Sequence, residues 1–146
     1  MKYTSSFHVI GILVMGALVS ACAPQGSAPA SYPAQDGVYI ITPRDGDVVT
    51  SPVTVRFGLK GRGVAPAGVQ QANTGHHHLL VDVSTLPPLN VPIPADEHHV
   101  HFGGGQTEAV VELAPGSHTL QLVLGDHLHV PHTPPWISES VTITVN

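Results

Sequence analysis

From residue 38 to residue 145 the chain is a succession of short apolar runs, each bounded by proline, glycine or aspartate. Val53, Val55, Phe57 and Leu59 alternate with Thr54, Arg56 and Gly58, which predicts a half-buried strand. Ala109, Val111 and Leu113 alternate with Glu108, Val110 and Glu112 in the same way. Val141, Ile143 and Val145 alternate with Ser140, Thr142 and Thr144. Further strands are predicted at 38–42, at 76–83 with Leu79, Val81 and Val83 on one face, at 99–102, and through Leu120, Leu122 and Leu124. A Gly-rich loop at 60–75 and a proline loop at 84–97 separate them, and no stretch has helical periodicity.

About seven short strands with regular turn signals predict an all-β, immunoglobulin-like antiparallel sandwich. No internal disulfide can brace it, because Cys22 is the only cysteine. Trp136 reads as an ordinary packing residue at a strand start.

The first 25 residues follow a different pattern. Lys2 precedes an apolar core from Val9 to Val19, interrupted only by Gly11 and Gly16, and small residues Ser20 and Ala21 precede Cys22. This is signal-peptide architecture, and the run is short for a transmembrane helix. Val19-Ser20-Ala21-Cys22 resembles the bacterial lipobox, in which the cysteine is acylated after cleavage just before it. Several acyl chains on one residue anchor stably, since each buried methylene contributes roughly 0.8 kcal/mol. Ala23 follows Cys22 in place of the aspartate that often retains such proteins at the inner membrane. The expectation is a signal peptide at 1–21, a lipidated cysteine at Cys22, and an outer-membrane lipoprotein facing the periplasm. Residues 23–35, APQGSAPASYPAQ, offer nothing for a core and read as a flexible tether at 22–35. The domain is then 36–146.

The domain keeps Arg44, Arg56, Lys60 and Arg62 against ten carboxylates, a balance that disfavours nucleic-acid binding. Both methionines, Met1 and Met15, lie in the signal. Of the 11 histidines only His8 lies there, so the domain retains a large excess that folding does not require.

In a sandwich of sequential antiparallel strands, alternate loops share an end. His76 and His78, then His99 and His101, then His127, His129 and His132 all map to or near one end. Residues i and i+2 of a strand point the same way, so each H-x-H pair can present two imidazoles to one ion. His76 and His78 share a face with Asp82, and His127 with His129 if that segment is extended. Neutral imidazole is the commonest ligand for such ions, and carboxylates such as Asp82 or Asp126 can orient the ring nitrogens that do not bind metal. The run Gly103-Gly104-Gly105 lets the backbone pass close to whatever is bound. With no methionine or cysteine in the folded part, Cu(II) or Zn fits better than Cu(I). His77 points to the apolar face, His118 is expected to be solvated at the other end, and His98 to lie on the surface.

Four segments together resemble a bacterial family described as a domain of unknown function, number 4399. They are SPVTVRFGLKGRGVAPAG at 51–68, TGHHHLLVD at 74–82, IPADEHHVHFGGGQTE at 93–108 and LAPGSHTLQLVLGDHLHVPHTPP at 113–135. The resemblance implies one exported His-rich β-domain and no catalytic residue.

The function expected is therefore a membrane-anchored module for a divalent transition metal. The alternative is a non-catalytic structural or adhesion module whose histidines form a polar network closing the sandwich end. An enzyme is less favoured. No nucleophile elbow or serine triad is present, Asp96 and Glu97 would point apart in an extended segment, and the histidine order and spacing do not match Cu/Zn superoxide dismutase.

Overall fold

A computed structural model describes residues 36–146. The expected signal peptide at 1–21, Cys22 and the expected tether at 22–35 lie outside the described residues.

Nine strands follow one another without a helix among the described residues. They are β1 (Gly37–Thr42), β2 (Val48–Val49), β3 (Val53–Lys60), β4 (Gly63–Val64), β5 (Thr74–Val81), β6 (His99–His101), β7 (Glu108–Val111), β8 (Gly116–Gly125) and β9 (Val141–Val145). The all-β, sandwich-like architecture agrees with the periodicity. The strands added to the expected seven are β2 and β4, each of two residues. They pair in parallel with the edges of β9 and β5. Two-residue strands leave no alternation to read, so the sequence pattern does not register them.

One sheet has the order β1-β3-β7. The other runs β2-β9-β8-β5-β4, with β6 also on β5. Val53, Val55 and Phe57 of β3 face Leu79 and Val81 of β5, Leu120 and Leu122 of β8, and Ile143 and Val145 of β9 in one buried core. Each fully buried Leu or Phe there contributes about 1.5–3 kcal/mol relative to exposure.

The far face of the large sheet is covered as well. Leu80 of β5 and Val123 of β8 pack there with Ile93, against partly buried Val83 and Ile137. Ile93 belongs to the proline loop and Ile137 to the segment before β9. These two connections fold over the sheet, so β5 is buried on both faces and seven of its eight residues are inaccessible. His76, His77 and His78 are 0%, 0% and 1% exposed.

β5 ends at Val81, because Asp82 takes φ +57° and turns the chain. Aspartate tolerates this left-handed conformation better than most residues. The turn removes Asp82 from the face that a straight strand would have shared with His76 and His78.

Candidate metal centre

Register decides which histidines meet. β5 pairs antiparallel with β8 so that His76 lies opposite Gly125, and with β6 so that His78 lies opposite His101. Directly opposed residues share a face. His101 therefore points to the side of the sheet that carries His76 and His78, at the end where β8 gives way to the loop bearing His129.

His129 reaches the same place by a turn. Its N–H donates to the Asp126 carbonyl at 3.0 Å, and the Asp126 carboxylate accepts from the N–H groups of Leu128 at 2.8 Å and Val130 at 2.9 Å. His129 sits at φ +66° inside this turn. A left-handed backbone at a non-glycine residue costs of order 1–3 kcal/mol and persists where surrounding contacts over-determine it.

The result is a group of four imidazoles, His76, His78, His101 and His129, each offering a ring nitrogen within 4.8 Å of every other. Ring centroids are 4.9 Å apart for His76–His78, 5.0 Å for His78–His101 and 4.7 Å for His101–His129. His76 Nε2 is 3.0 Å from His129 Nδ1 and 3.1 Å from His78 Nε2. A ring nitrogen carries either one proton or one lone pair in its plane. His76 Nε2 therefore cannot make a full hydrogen bond to both neighbours, whichever tautomer it adopts. A cation accepting all the lone pairs has no such conflict. Metal–nitrogen bonds of about 2.0–2.1 Å in a tetrahedral site put ligand nitrogens roughly 3.3–3.4 Å apart. The two shortest separations lie within a few tenths of an ångström of that.

The rings are held ready to donate lone pairs. Burial, reinforced by mutual repulsion with neighbouring histidines, pushes the His76 pKa down to about 4 and the His78 pKa to about 3. Burial and His129 also lower that of His101. A neutral imidazole at pH 7 is the form that binds metal.

Close approach depends on two glycines. A Cβ on Gly125 would stand 2.9 Å from His78 Nε2 and 3.3 Å from the His129 Cα. A Cβ on Gly103 would overlap the His101 ring. The sequence signal that marks Gly125 is its place at the end of the apolar β8, directly before the turn-forming Asp126. Of the triplet, Gly104 instead faces Gln106, and Gly105 serves a turn at φ +81°.

The other expected ligands stand apart from this group. His99 pairs with Leu80, two residues further along β5, and its Nδ1 lies 2.8 Å from the Asp96 carboxylate. His127 belongs to the turn, not to an extended segment, and its carbonyl accepts from Gly68 N–H. His132 lies against Gly75, with its Nε2 buried and without a partner. Neither expected carboxylate orients a ring of the group. Asp82 holds His118 Nδ1 at 2.7 Å, and Asp126 holds the backbone of its own turn. The Nδ1 atoms of His76 and His78 are buried without a hydrogen-bond partner.

Three histidines assigned to packing or the surface have defined partners. His77 is a core residue, its ring 5.1 Å from that of Phe57 and its Nδ1 3.3 Å from the Gln106 carbonyl. His98, on the surface, donates from Nδ1 to the Val81 carbonyl at 2.9 Å. His118 is not simply solvated: Asp82 and the Ala114 carbonyl take both its ring nitrogens.

No curated protein and no solved structure matches the chain. A family model does match it over residues 55–146, a span that contains all four grouped histidines and both contacting glycines. The chain belongs to the family described as a domain of unknown function, DUF4399.

Proposed function

We propose that this protein is a lipid-anchored envelope module that binds one divalent transition-metal ion, Cu(II) or Zn, through His76, His78, His101 and His129. The observation that carries the reading is the convergence of four imidazole ring nitrogens within 4.8 Å of one another, drawn from three separate segments of the chain. The donor set is all imidazole, which suits copper and zinc and offers nothing of the oxygen-rich shell that calcium or magnesium needs.

The anchor reading rests on Val19-Ser20-Ala21-Cys22, and the described residues begin near the histidines. Gly37 pairs with Lys60, the last residue of β3, and Asp36 lies against Gly61. Asp36 and Gly37 also line a cleft with Pro134, Pro135 and Trp136, on the connection that carries His129 and His132. The chain therefore enters the domain at its histidine-bearing end. Fourteen residues from Cys22 to Gln35 span at most about 50 Å. A lipid on Cys22 keeps Asp36, the entry to the domain, within about that distance of the bilayer.

The test is metal analysis of untagged protein purified without a nickel column, followed by titration with Zn and Cu(II). One ion per chain is expected, with loss of binding in the double variant His78→Ala, His101→Ala. Substoichiometric metal that the double variant leaves unchanged sinks the reading in favour of a structural histidine network. Labelling with radioactive palmitate tests the anchor, and incorporation should disappear in Cys22→Ser.

A further inference from the structure

The four ligands differ sharply in access. His76 and His78 are 0% and 1% exposed on a strand bonded along both edges and covered on both faces. His129 is half-buried in a turn tied by hydrogen bonds through Asp126. His101 is exposed, at the last position of a three-residue strand. It is followed by Phe102 and then Gly103, whose missing Cβ leaves room for the ring.

We propose, resting on the metal reading above, that His101 is the exchangeable ligand and that the ion is cargo which enters and leaves through it. The acceptor is a chelator bearing a nitrogen or thiolate donor, small enough or protruding enough to reach the open face. Exchange proceeds by replacement. The incoming donor's lone pair bonds to the ion as the His101 nitrogen leaves with its own. The charge on the ion does not change, and no oxidant or reductant takes part. The buried pair holds the ion during the replacement, since neither ring can swing out without displacing the loops packed over β5. A structural zinc site is closed by four protein ligands, whereas a catalytic one leaves a position that an outside ligand can take; an exposed fourth histidine over a buried pair is a position that an outside donor can reach.

The full chain, untagged and loaded with zinc, is mixed with increasing concentrations of a colorimetric zinc chelator in a stopped-flow instrument. The expected transfer rate rises in proportion to chelator concentration. His101→Ala, an exposed change with little effect on folding, should transfer roughly tenfold faster or more, the lower end of the range for disturbed metal sites. Free imidazole should slow it again by refilling the vacated position. A rate that levels off at low chelator, unchanged in His101→Ala and indifferent to imidazole, overturns the proposal while leaving the metal reading intact. Wild-type protein that holds neither zinc nor Cu(II) overturns both.

Discussion

His76 Nε2 and His129 Nδ1 lie 3.0 Å apart although 53 residues separate them in the chain. One belongs to the most buried strand of the large sheet and the other to a turn in left-handed conformation. Their meeting joins the rigid half of the site to its rim.

His129→Gly separates the ring from the backbone. Glycine accepts φ +66° without strain, so the metal-free variant should be as stable as the parent or up to about 1 kcal/mol more stable. Its affinity for zinc should nevertheless fall by roughly tenfold or more. Urea unfolding of the metal-free protein, set beside a zinc titration, reads the two effects separately. An unchanged zinc affinity would remove His129 from the ligand set.

Gly125→Ala adds one methyl group against His78 Nε2 and the His129 Cα. Zinc affinity should drop in this variant, and likewise in Gly103→Ala, whose Cβ would displace His101. Gly37→Ala is the matched control, because a Cβ there meets nothing within 4 Å. Equal affinities across all three variants would show that the glycines do not shape the site.

Acid should weaken the metal-free fold. His76, His77 and His78 have folded pKa values of about 4, 4 and 3 against an ordinary 6.5. Below pH 6.5 the unfolded chain takes up protons that the folded chain refuses, so stability falls with pH from about 6.5 towards 4 and is flat from this cause above 6.5. Chemical denaturation at pH 5 and pH 7.5 checks the sign. Stability that is unchanged or higher at pH 5 would mean that these rings are not held neutral.

At the opposite end the His118–Asp82 pair behaves differently. The hydrogen bond with Asp82 raises the His118 pKa above 6.5, while bonds from Thr119 N–H and His118 lower that of Asp82 below 3.8 against the opposing effect of burial. The histidine's contribution is complete below 6.5 and lost as pH rises through its folded value. The carboxylate's is complete above 3.8 and lost as pH falls through its own. The destabilisation caused by His118→Ala should therefore be larger near pH 5 than near pH 8.5, with zinc affinity unaltered. A pH-independent difference between variant and parent would rule out a charged pair.

Much of this was legible in the sequence because alternation is a local signal. The strands through Val53, Val55 and Phe57, and through Val141, Ile143 and Val145, carry it plainly, and both sit with one face in the core. The choice between His99 and His101 was not legible. It depends on which of them stands opposite His78, and that register is set by pairing between distant segments. The same holds for Asp82 and His129, whose left-handed backbones break the alternation that would have placed their side chains. Nor does periodicity reveal that residues such as Ile93 and Ile137 roof over the far face of the sheet. A strand buried on both sides and one exposed on one side can share a pattern when the outer residues are histidines.

The doubly covered β5 has a consequence for how such a site can change over time. Its alternate positions answer to separate demands: His77, Leu79 and Val81 face the core, while His76 and His78 face the other two histidines of the group. The inner two histidines are thus tied to the architecture of the sheet, whereas the outer two sit on a strand tip and a turn. On the proposed metal reading, descendants of this domain can swap the outer donors and change metal preference while the inner pair is inherited unaltered.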